Sequence, residues 1–399
     1  MKITYLTAFL LVLLANTGFI REGSAETPER EWLILFYLSG VNDRGLNGFA
    51  KDLINQLEKV GSTDTVTIIV QYSILETGKN EEVQFQRDAR TLLIKQDKGD
   101  PTITSPVIDS SLRTDMASAS NLSLFIRRSI AKYPSKKVML ALWGKGDGFK
   151  GVLADDLSGK KMTVREIASA LSKARNATQK KLDVLAIDAD LMQMAENVYE
   201  LKDEAGIIVA SEETTFGNDY LYDLILQEAV ENKVSSPEKL AGAMVYFAEN
   251  PVASAVRTDK MPAFMKLLDQ WTTAIMNDRA ALKIAASAMD ATFHFGMEDS
   301  KDLCDFIDRV VESTAPDSEV SKSGKDFSIF IKRELITSAH WTSNPKAFKD
   351  RPYSERSHGL AIYLPGLRYD SNAYEPLAFA SNSGWSRFLL ALLEEKLKK

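Results

Sequence analysis

The sequence predicts an α/β fold, a mostly parallel sheet with helices on both faces, followed by a largely helical C-terminal region. Short apolar runs rich in β-branched residues recur through the first half of the chain. Amphipathic segments with helical spacing separate these runs, which is the order expected of βαβ units. Beyond about residue 219 the pattern is mainly helical. We therefore expect an α/β core over residues 26–218 and a helical region over 219–399 that completes the same domain with one or more late strands.

The N-terminal half of the core begins with a buried strand at Trp32–Leu38 and a helix whose apolar positions include Phe49 and Leu57. A second strand is predicted at Val66–Val70. Residues 82–96 alternate between apolar and polar side chains, which predicts a hairpin, and residues 97–114 are a polar segment with Gly, Pro and Ser that predicts a loop.

The rest of the core continues the alternation. Strands and helices follow in the order helix Leu122–Tyr133, strand Val138–Trp143, helix Val164–Ala174, strand Leu182–Ile187, helix Ala195–Asp203 and strand Ile207–Ala210. Continuous apolar runs of this length are typical of parallel strands buried on both faces. Later in the chain we expect one further strand, Gly359–Leu364, and an amphipathic closing helix, Trp385–Lys399.

The N-terminus has the pattern of an export signal. Lys2 precedes an apolar run from Ile3 to Leu14, and Gly23-Ser24-Ala25 has the small residues of a cleavage site. We therefore assign residues 1–25 to a signal peptide and expect an exported protein with no stable membrane span, because the apolar run is short for one. An uncleaved anchor is the alternative, since Arg21 and Glu22 are unusual so close to a cleavage site.

Composition excludes several classes of partner. The net charge of −6 over 399 residues comes without a basic stripe, so we expect no nucleic-acid partner.

Cys304 is the only cysteine, which leaves no disulfide within the chain. No cluster of His and Cys has the spacing of zinc ligands, and the pair Asp155-Asp156 is more typical of a solvated loop than of a calcium site. We predict no cofactor and no metal.

Three loops follow predicted strands directly and carry polar residues. They contain Lys145, then Asp188 and Asp190, then Ser211-Glu212-Glu213. Since ligands bind at the carboxyl ends of the strands of a parallel sheet, we expect these loops to meet at one edge. The sequence places the candidate site there.

The first two loops resemble those of the clostripain family, cysteine peptidases with a caspase-like fold. Trp143-Gly144-Lys145-Gly146-Asp147-Gly148-Phe149 is similar to the family's loop Trp-x-His-Gly-x-Gly-Trp, and Asp188-Ala189-Asp190-Leu191-Met192 to its loop Asp-Ala-Cys-Leu-Met. Further similar segments, in the order of the family, are Asn42-Asp43, Tyr133-Pro134, Ala195–Leu201, Ala210–Glu213, Asp302–Phe306, His358–Pro365 and Trp385–Leu389. The resemblance implies a caspase-like sheet over most of the chain.

The resemblance also implies that the catalytic pair has been lost. Lys145 stands where the family has its histidine, and Asp190 where it has its cysteine. A carboxylate is a poor nucleophile toward an amide, and an ammonium group is a poor general base. We expect Lys145 and Asp190 to form a salt bridge that holds the loops together, the alternative being that both side chains point into solvent. Cys304, His294, His340 and His358 lie far along the chain from these loops.

Asp188 matches the family position that helps to accept an Arg or Lys side chain, and Ser211, Glu212 and Glu213 are further candidates for substrate binding. The alternative for Asp188 is a structural hydrogen bond to the neighbouring loop. Family members also cut themselves at a basic residue after the first loop, where this chain has Lys160-Lys161. Without a nucleophile, we expect the chain to stay intact there.

Two functions remain open from the sequence. The leading interpretation is an exported, catalytically inactive clostripain-like protein that acts by binding or scaffolding, with Arg- or Lys-containing peptides or proteins as ligands. The alternative is an active hydrolase that uses Asp190 and Lys145, or another nucleophile such as Ser211. Covalent labelling by a peptide electrophile that ends in Arg or Lys favours an enzyme, whereas reversible binding of such a peptide favours a binding protein.

Overall fold

The structure, a computed structural model, describes residues 28–40, 44–74, 88–341 and 353–398, except positions 98, 113, 157, 232, 233, 235, 250 and 251. The predicted signal segment, residues 1–25, lies outside the described residues. So do Asn42-Asp43 and the first part of the hairpin predicted at 82–96.

The described chain alternates strands and helices through its first half. Its strands are β1 (Arg30–Gly40), β2 (Val66–Ile74), β3 (Ala89–Leu93), β4 (Val107–Ser111), β5 (Ser135–Trp143), β6 (Val152–Asp155), β7 (Lys160–Met162), β8 (Leu182–Asp188), β9 (Ala205–Ser211), β10 (Val252–Arg257), β11 (Ser300–Asp302), β12 (Ile336–Trp341) and β13 (Ala361–Tyr363). Its helices are α1 (Arg44–Val60), α2 (Ala119–Lys132), α3 (Val164–Thr178), α4 (Ala195–Leu201), α5 (Tyr222–Glu231), α6 (Pro237–Tyr246), α7 (Met261–Asn277), α8 (Arg279–Ala291), α9 (Leu303–Ser313), α10 (Glu319–Phe330), α11 (Tyr353–Arg356), α12 (Ser371–Tyr374), α13 (Ala378–Asn382) and α14 (Trp385–Lys396).

One large sheet forms the centre of the molecule. In the described residues it has nine strands, in the order β12-β10-β9-β8-β5-β1-β2-β3-β4. The five strands from β9 to β2 are parallel, and two antiparallel strands extend the sheet at each end. The remaining strands form two short ribbons, β6 with β7 and β11 with β13. The predicted α/β class with a mostly parallel sheet is confirmed.

The apolar runs read in the sequence are the buried central strands. In β1, Leu33, Leu35 and Tyr37 face one core, and Ile34 and Phe36 face the other. Helices α1, α5 and α6 cover the second face, whereas α2, α3, α4 and the C-terminal helices contribute to the core on the first. Both faces are thus covered by helices, which explains why the central run of β1, Trp32–Leu38, is apolar on both faces.

The C-terminal region is largely helical, as predicted. Helices α7, α9 and α14 meet around the Trp271 ring, whose centroid lies 5.6 Å from that of Phe306 and 6.3 Å from that of Phe388. This region also supplies β10 and β12 to the main sheet. The later segment thus completes the sheet of the earlier one. The boundary near residue 218 between an α/β core and a helical region stays a prediction.

Two predicted elements differ from the structure. The late strand expected at 359–364 is shorter, Ala361–Tyr363, and pairs with β11 instead of joining the main sheet. The segment 97–114, predicted as a loop, contains edge strand β4, whose side chains are mostly exposed and therefore polar. Among the described helices, none has both the length and the apolar composition required to cross a membrane.

Candidate functional site

The loops that follow β5, β8 and β9 meet at the carboxyl edge of the sheet. The Gly144 N–H donates to the Asp188 carbonyl oxygen at 3.3 Å, which joins the first loop to the end of β8. The Leu191 N–H donates to the Glu213 carbonyl oxygen at 3.1 Å, which joins the second loop to the third. The convergence that parallel topology predicts is therefore present, because β5, β8 and β9 are neighbours in the sheet.

Asp190 links the three loops through its carboxylate. Oδ1 accepts the Thr215 N–H at 2.7 Å and the Thr215 hydroxyl at 3.4 Å, and Oδ2 accepts the Gly146 N–H at 3.3 Å. The backbones are also close, since a Cβ on Gly146 would lie 2.4 Å from the Asp190 carbonyl oxygen. Only glycine fits at position 146 against this loop.

Lys145 does not form the predicted salt bridge. Its side chain is exposed, and no described carboxylate lies within 4 Å of its ammonium nitrogen. The Asp190 carboxylate accepts backbone N–H groups instead, which are fixed in place and cost no side-chain entropy to bind. The expectation of a Lys145–Asp190 ion pair was wrong, and for Lys145 the alternative of a solvent-facing side chain is correct.

Asp188 is buried at the end of β8, with 2% of its surface exposed. Its Oδ2 accepts the Tyr222 hydroxyl at 3.1 Å, and its Oδ1 is buried with no hydrogen-bond partner in the described part of the chain. Burial first, and then the negative charge of Asp219, hold the pKa of the Asp188 carboxyl well above its ordinary value. In this conformation Asp188 is covered by Tyr222 and does not line an open pocket.

The residues at and directly after the end of β9 point into the interior. Ser211, Glu212 and Glu213 are completely buried, and the Ser211 hydroxyl accepts the Glu213 N–H at 3.1 Å. Glu213 accepts the Gly296 N–H at 2.6 Å and the Tyr353 hydroxyl at 2.8 Å. Their polar atoms hold distant segments together in this structure, and a role of these residues in substrate binding stays a prediction.

Glu212 belongs to a second buried group behind the loops. It accepts the Gly359 N–H at 2.9 Å. Burial, and then the neighbouring carboxylate of Asp302, raise the pKa of Glu212 well above its ordinary value. Asp302 in turn contacts His358 Nδ1 at 2.9 Å and accepts the Asp305 N–H at the start of α9. His358 is thus held by a buried carboxylate in a structural network.

The thiol and the imidazoles of the described chain lie outside the three loops. Cys304 is buried in α9, and burial raises the pKa of its thiol well above the ordinary value, which disfavours the reactive thiolate. His294 contacts the Phe295 carbonyl oxygen through Nδ1, and His340 belongs to edge strand β12. None of these residues lies on the loops after β5, β8 and β9.

The segment after the first loop is ordered as a ribbon. Lys160 and Lys161 begin β7, which pairs with β6. Lys161 forms an ion pair with Asp147 of the first loop, and Lys160 lies 3.9 Å from Asp115. Asp155 is buried and accepts the Ser158 N–H at 2.8 Å. In the described chain no three His, Cys, Asp or Glu side chains are grouped to hold a metal ion.

Sequence reasoning missed Asp219, Tyr222 and Thr215. Asp219 accepts the Phe216 N–H at 2.8 Å and places its charge near Asp188. Phe216 itself is 46% exposed beside the site. The polar turn Gly217-Asn218-Asp219 was the only signal, and it is too short and too common to indicate a carboxylate pair.

Three solved structures share this fold over most of their length. A secreted C11 cysteine protease from Bacteroides thetaiotaomicron, in complex with an irreversible peptide inhibitor, is 16% identical with a TM-score of 0.65, covering 89% of this chain and 99% of its own. A structure described as the secreted C11 protease "iotapain" of the same organism is 12% identical with a TM-score of 0.66 and the same coverage. An inactive zymogen C11 protease from Parabacteroides distasonis is 17% identical with a TM-score of 0.63, covering 89% and 98%.

Identities this low show the fold alone. No curated protein sequence matches the chain. The sequence model of the clostripain family, Peptidase_C11, matches residues 37–390, which include all three loops of the candidate site and the C-terminal helices up to the first half of α14. The chain therefore belongs to the clostripain family.

Proposed function

We propose that this chain is an exported clostripain-family protein that has no peptidase activity and acts by binding. The resemblance of the two loops to those of the family assigns Lys145 and Asp190 to the positions of its histidine and cysteine. The observation that carries the proposal is the bonding of Asp190, whose two carboxylate oxygens already accept hydrogen bonds from Gly146 and Thr215. The side chain at the nucleophile position is thus a structural acceptor.

A cysteine peptidase needs a thiolate and donors that stabilise the oxyanion of the reacting carbonyl group. The Gly146 N–H, beside Asp190, already donates to the Asp190 carboxylate at 3.3 Å. A substrate carbonyl would have to displace that carboxylate. The same bonds count against a hydrolase with Asp190 as nucleophile, and Lys145 is not paired with it.

The ligands we propose are peptides or proteins that carry Arg or Lys. Asp188 and Asp219 place two carboxyl groups near each other at the end of β8, and Oδ1 of Asp188 lacks a donor among the described residues. A guanidinium group supplies several donors in a planar fork and suits such a carboxylate pair. Entry of the ligand requires the Tyr222 hydroxyl to leave Asp188.

Export is the second part of the proposal. It is supported by the signal-like pattern of residues 1–25 and by the similarity of the fold to proteases described as secreted. A signal peptide would be absent from the mature chain. Sequencing the N-terminus of the protein recovered from cell fractions tests this, and an intact N-terminus in the cytoplasm would contradict it.

Activity is tested with the full mature chain and a peptide chloromethyl ketone that ends in Arg. We expect no covalent adduct by mass spectrometry and no turnover of a fluorogenic Arg peptide. The double variant Lys145→His with Asp190→Cys is the positive comparison, because it restores the residue types of the family. Labelling or turnover by the parent chain that Asp190→Asn abolishes would show an enzyme.

Binding is tested by calorimetry with an Arg-terminated peptide against the parent chain, Asp188→Asn and the exposed control Asp203→Asn. Asp188 holds its proton above the ordinary carboxyl range and must release it to pair with a guanidinium group. Affinity should therefore rise as the pH is raised, in the parent and in Asp203→Asn. Equal affinity and equal pH dependence in Asp188→Asn would rule out recognition at this residue.

A further inference from the structure

A trough lies at the β4 end of the sheet, whereas the candidate site lies at the carboxyl ends of the more central strands β5, β8 and β9. It is a cavity of about 500 Å³ between helix α2 and the strands β3 and β4. Its walls include Ile108 of β4 and Leu124 and Phe125 of α2, and its floor is formed by Gln71 and Thr91. A volume of this size is typical of sites that hold a small ligand or one or two residues of a peptide.

The floor of the trough is polar where a sheet under a helix is ordinarily apolar. Gln71 lies on the same face of β2 as the buried Ile69, and its amide nitrogen donates to the Thr91 hydroxyl at 3.1 Å. The Gln71 carbonyl oxygen is buried without a donor in the described part of the chain. The lining thus combines an apolar wall with hydrogen-bonding groups, including Asn121 and Ser129.

The rim of the trough carries an excess of positive charge. Arg128 and Lys132 lie on α2, both exposed, and Asp109 is the one acidic side chain of the lining. Arg128 pairs with Asp109 at 3.1 Å, with the side chains 65% and 50% exposed. An ion pair so exposed is screened by water and contributes little, so an incoming carboxylate can compete for Arg128.

We infer that the trough binds the C-terminal residue of a peptide that ends in an apolar side chain. The side chain packs against Leu124, Phe125 and Ile108, and the terminal carboxylate contacts Arg128 and Lys132. The peptide amides provide partners for the polar floor and walls. An alkyl chain would instead cover those polar groups without satisfying them, which is unfavourable for a fatty acid in the same place. This inference does not depend on the proposed function.

The test uses the full mature chain and the fluorescein-labelled probe Gly-Ser-Gly-Ser-Leu, with a free or an amidated C-terminus, in a fluorescence anisotropy titration. We expect the free acid to bind at least about tenfold more tightly than the amide. Arg128→Gln should weaken binding of the acid by about tenfold, and Asp109→Asn should strengthen it, because it frees Arg128. Arg127→Gln is the matched control, an exposed arginine of the same helix outside the lining.

Several outcomes would overturn the inference. They are no binding of the acid probe at about 1 mM protein, equal binding of acid and amide, and equal effects of Arg127→Gln and Arg128→Gln. Displacement of the peptide by decanoate at lower concentration than by unlabelled peptide would assign the trough to a fatty acid. Asp188 lies outside the lining of the trough, so Asp188→Asn should leave this titration unchanged. A negative result for peptide binding at Asp188 therefore leaves the test of the trough unaffected.

Discussion

Asp190 is the residue whose replacement tests the candidate site most directly. Its carboxylate accepts the N–H groups of Gly146 and Thr215, so Asp190→Ala leaves two partly buried donors without their acceptor. We expect the free energy of unfolding to fall by about 1–3 kcal/mol. Lys145→Ala should change it by no more than about 0.5 kcal/mol, because the exposed Lys145 has no described ion-pair partner. Urea denaturation measures both.

Equal losses in the two variants would contradict this view of the site and would support a Lys145–Asp190 pair in solution. Asp190→Asn is an informative third variant. Its side chain keeps one acceptor oxygen for Thr215, so the free energy of unfolding of Asp190→Asn should lie between those of the parent and Asp190→Ala.

Glu196 makes stability depend on pH. It is completely buried in α4, where one oxygen accepts the Tyr363 N–H at 3.0 Å and the Tyr374 hydroxyl at 2.8 Å. Burial raises the pKa of Glu196 to about 7 despite these bonds. Its contribution to stability is therefore fully present below the ordinary pKa of 4.5 and is lost as the pH rises through about 7.

The variant Glu196→Gln keeps the shape of the side chain and cannot ionise. Relative to the parent, its free energy of unfolding should increase by roughly 2–4 kcal/mol between pH 4.5 and pH 8. Thermal or urea unfolding at several pH values measures this difference. The exposed Glu394→Gln is the control, and parallel pH curves for parent and Glu196→Gln would contradict the prediction.

At the scale of elements, the ribbon of β6 and β7 bears on processing. Lys160 and Lys161 lie in a paired strand, and Lys161 is held by Asp147. A protease binds its substrate as an extended, unpaired segment, so pairing within the ribbon should protect this segment from cleavage. Purified chain incubated without protease should keep its intact mass after loss of residues 1–25. A reproducible cut beside Lys160 or Lys161 would show residual activity.

The elements predicted well from sequence were those with a strong, single pattern. The central strands β1, β5 and β8 are buried on both faces, so their sequences are continuous apolar runs. Edge strand β4 is mostly exposed, so its sequence resembles that of a loop. Strand β10 contains the small residues Ala253-Ser254-Ala255 in place of the large β-branched residues that indicate a strand. The partner of β13 depends on contacts between distant segments, which local patterns do not contain.

At the scale of the whole molecule, the location of the site was predictable and its bonding was not. Parallel topology alone brings the loops of Lys145, Asp190 and Ser211 to one edge. Which donors bind the carboxylates there depends on differences of about an ångström in the positions of competing groups. Asp190 accepts backbone N–H groups and not the ammonium group of the flexible Lys145. Asp188 is covered by Tyr222 of α5, and no local sequence pattern links that helix to Asp188.

The whole chain should also be insensitive to reducing agents. Its only cysteine, Cys304, is 1% exposed, so no disulfide forms within the chain and the thiol is sheltered from a second copy. We expect the melting temperature with and without dithiothreitol to agree within about 1 °C. A shift of several degrees, or a dimer on non-reducing gels that Cys304→Ser removes, would contradict this.

Gly146 has a consequence for how sequences of this kind are interpreted. Any side chain at position 146 would collide with the backbone of Asp190, whatever residue supplies the chemistry at 190. The requirement for glycine comes from the shape of the two loops, so it does not depend on whether the site is catalytic. A lineage can therefore keep its glycine signature for as long as it keeps the scaffold. Retention of that glycine in a newly sequenced relative is evidence of ancestry, and it carries no information about whether the relative still cuts peptides.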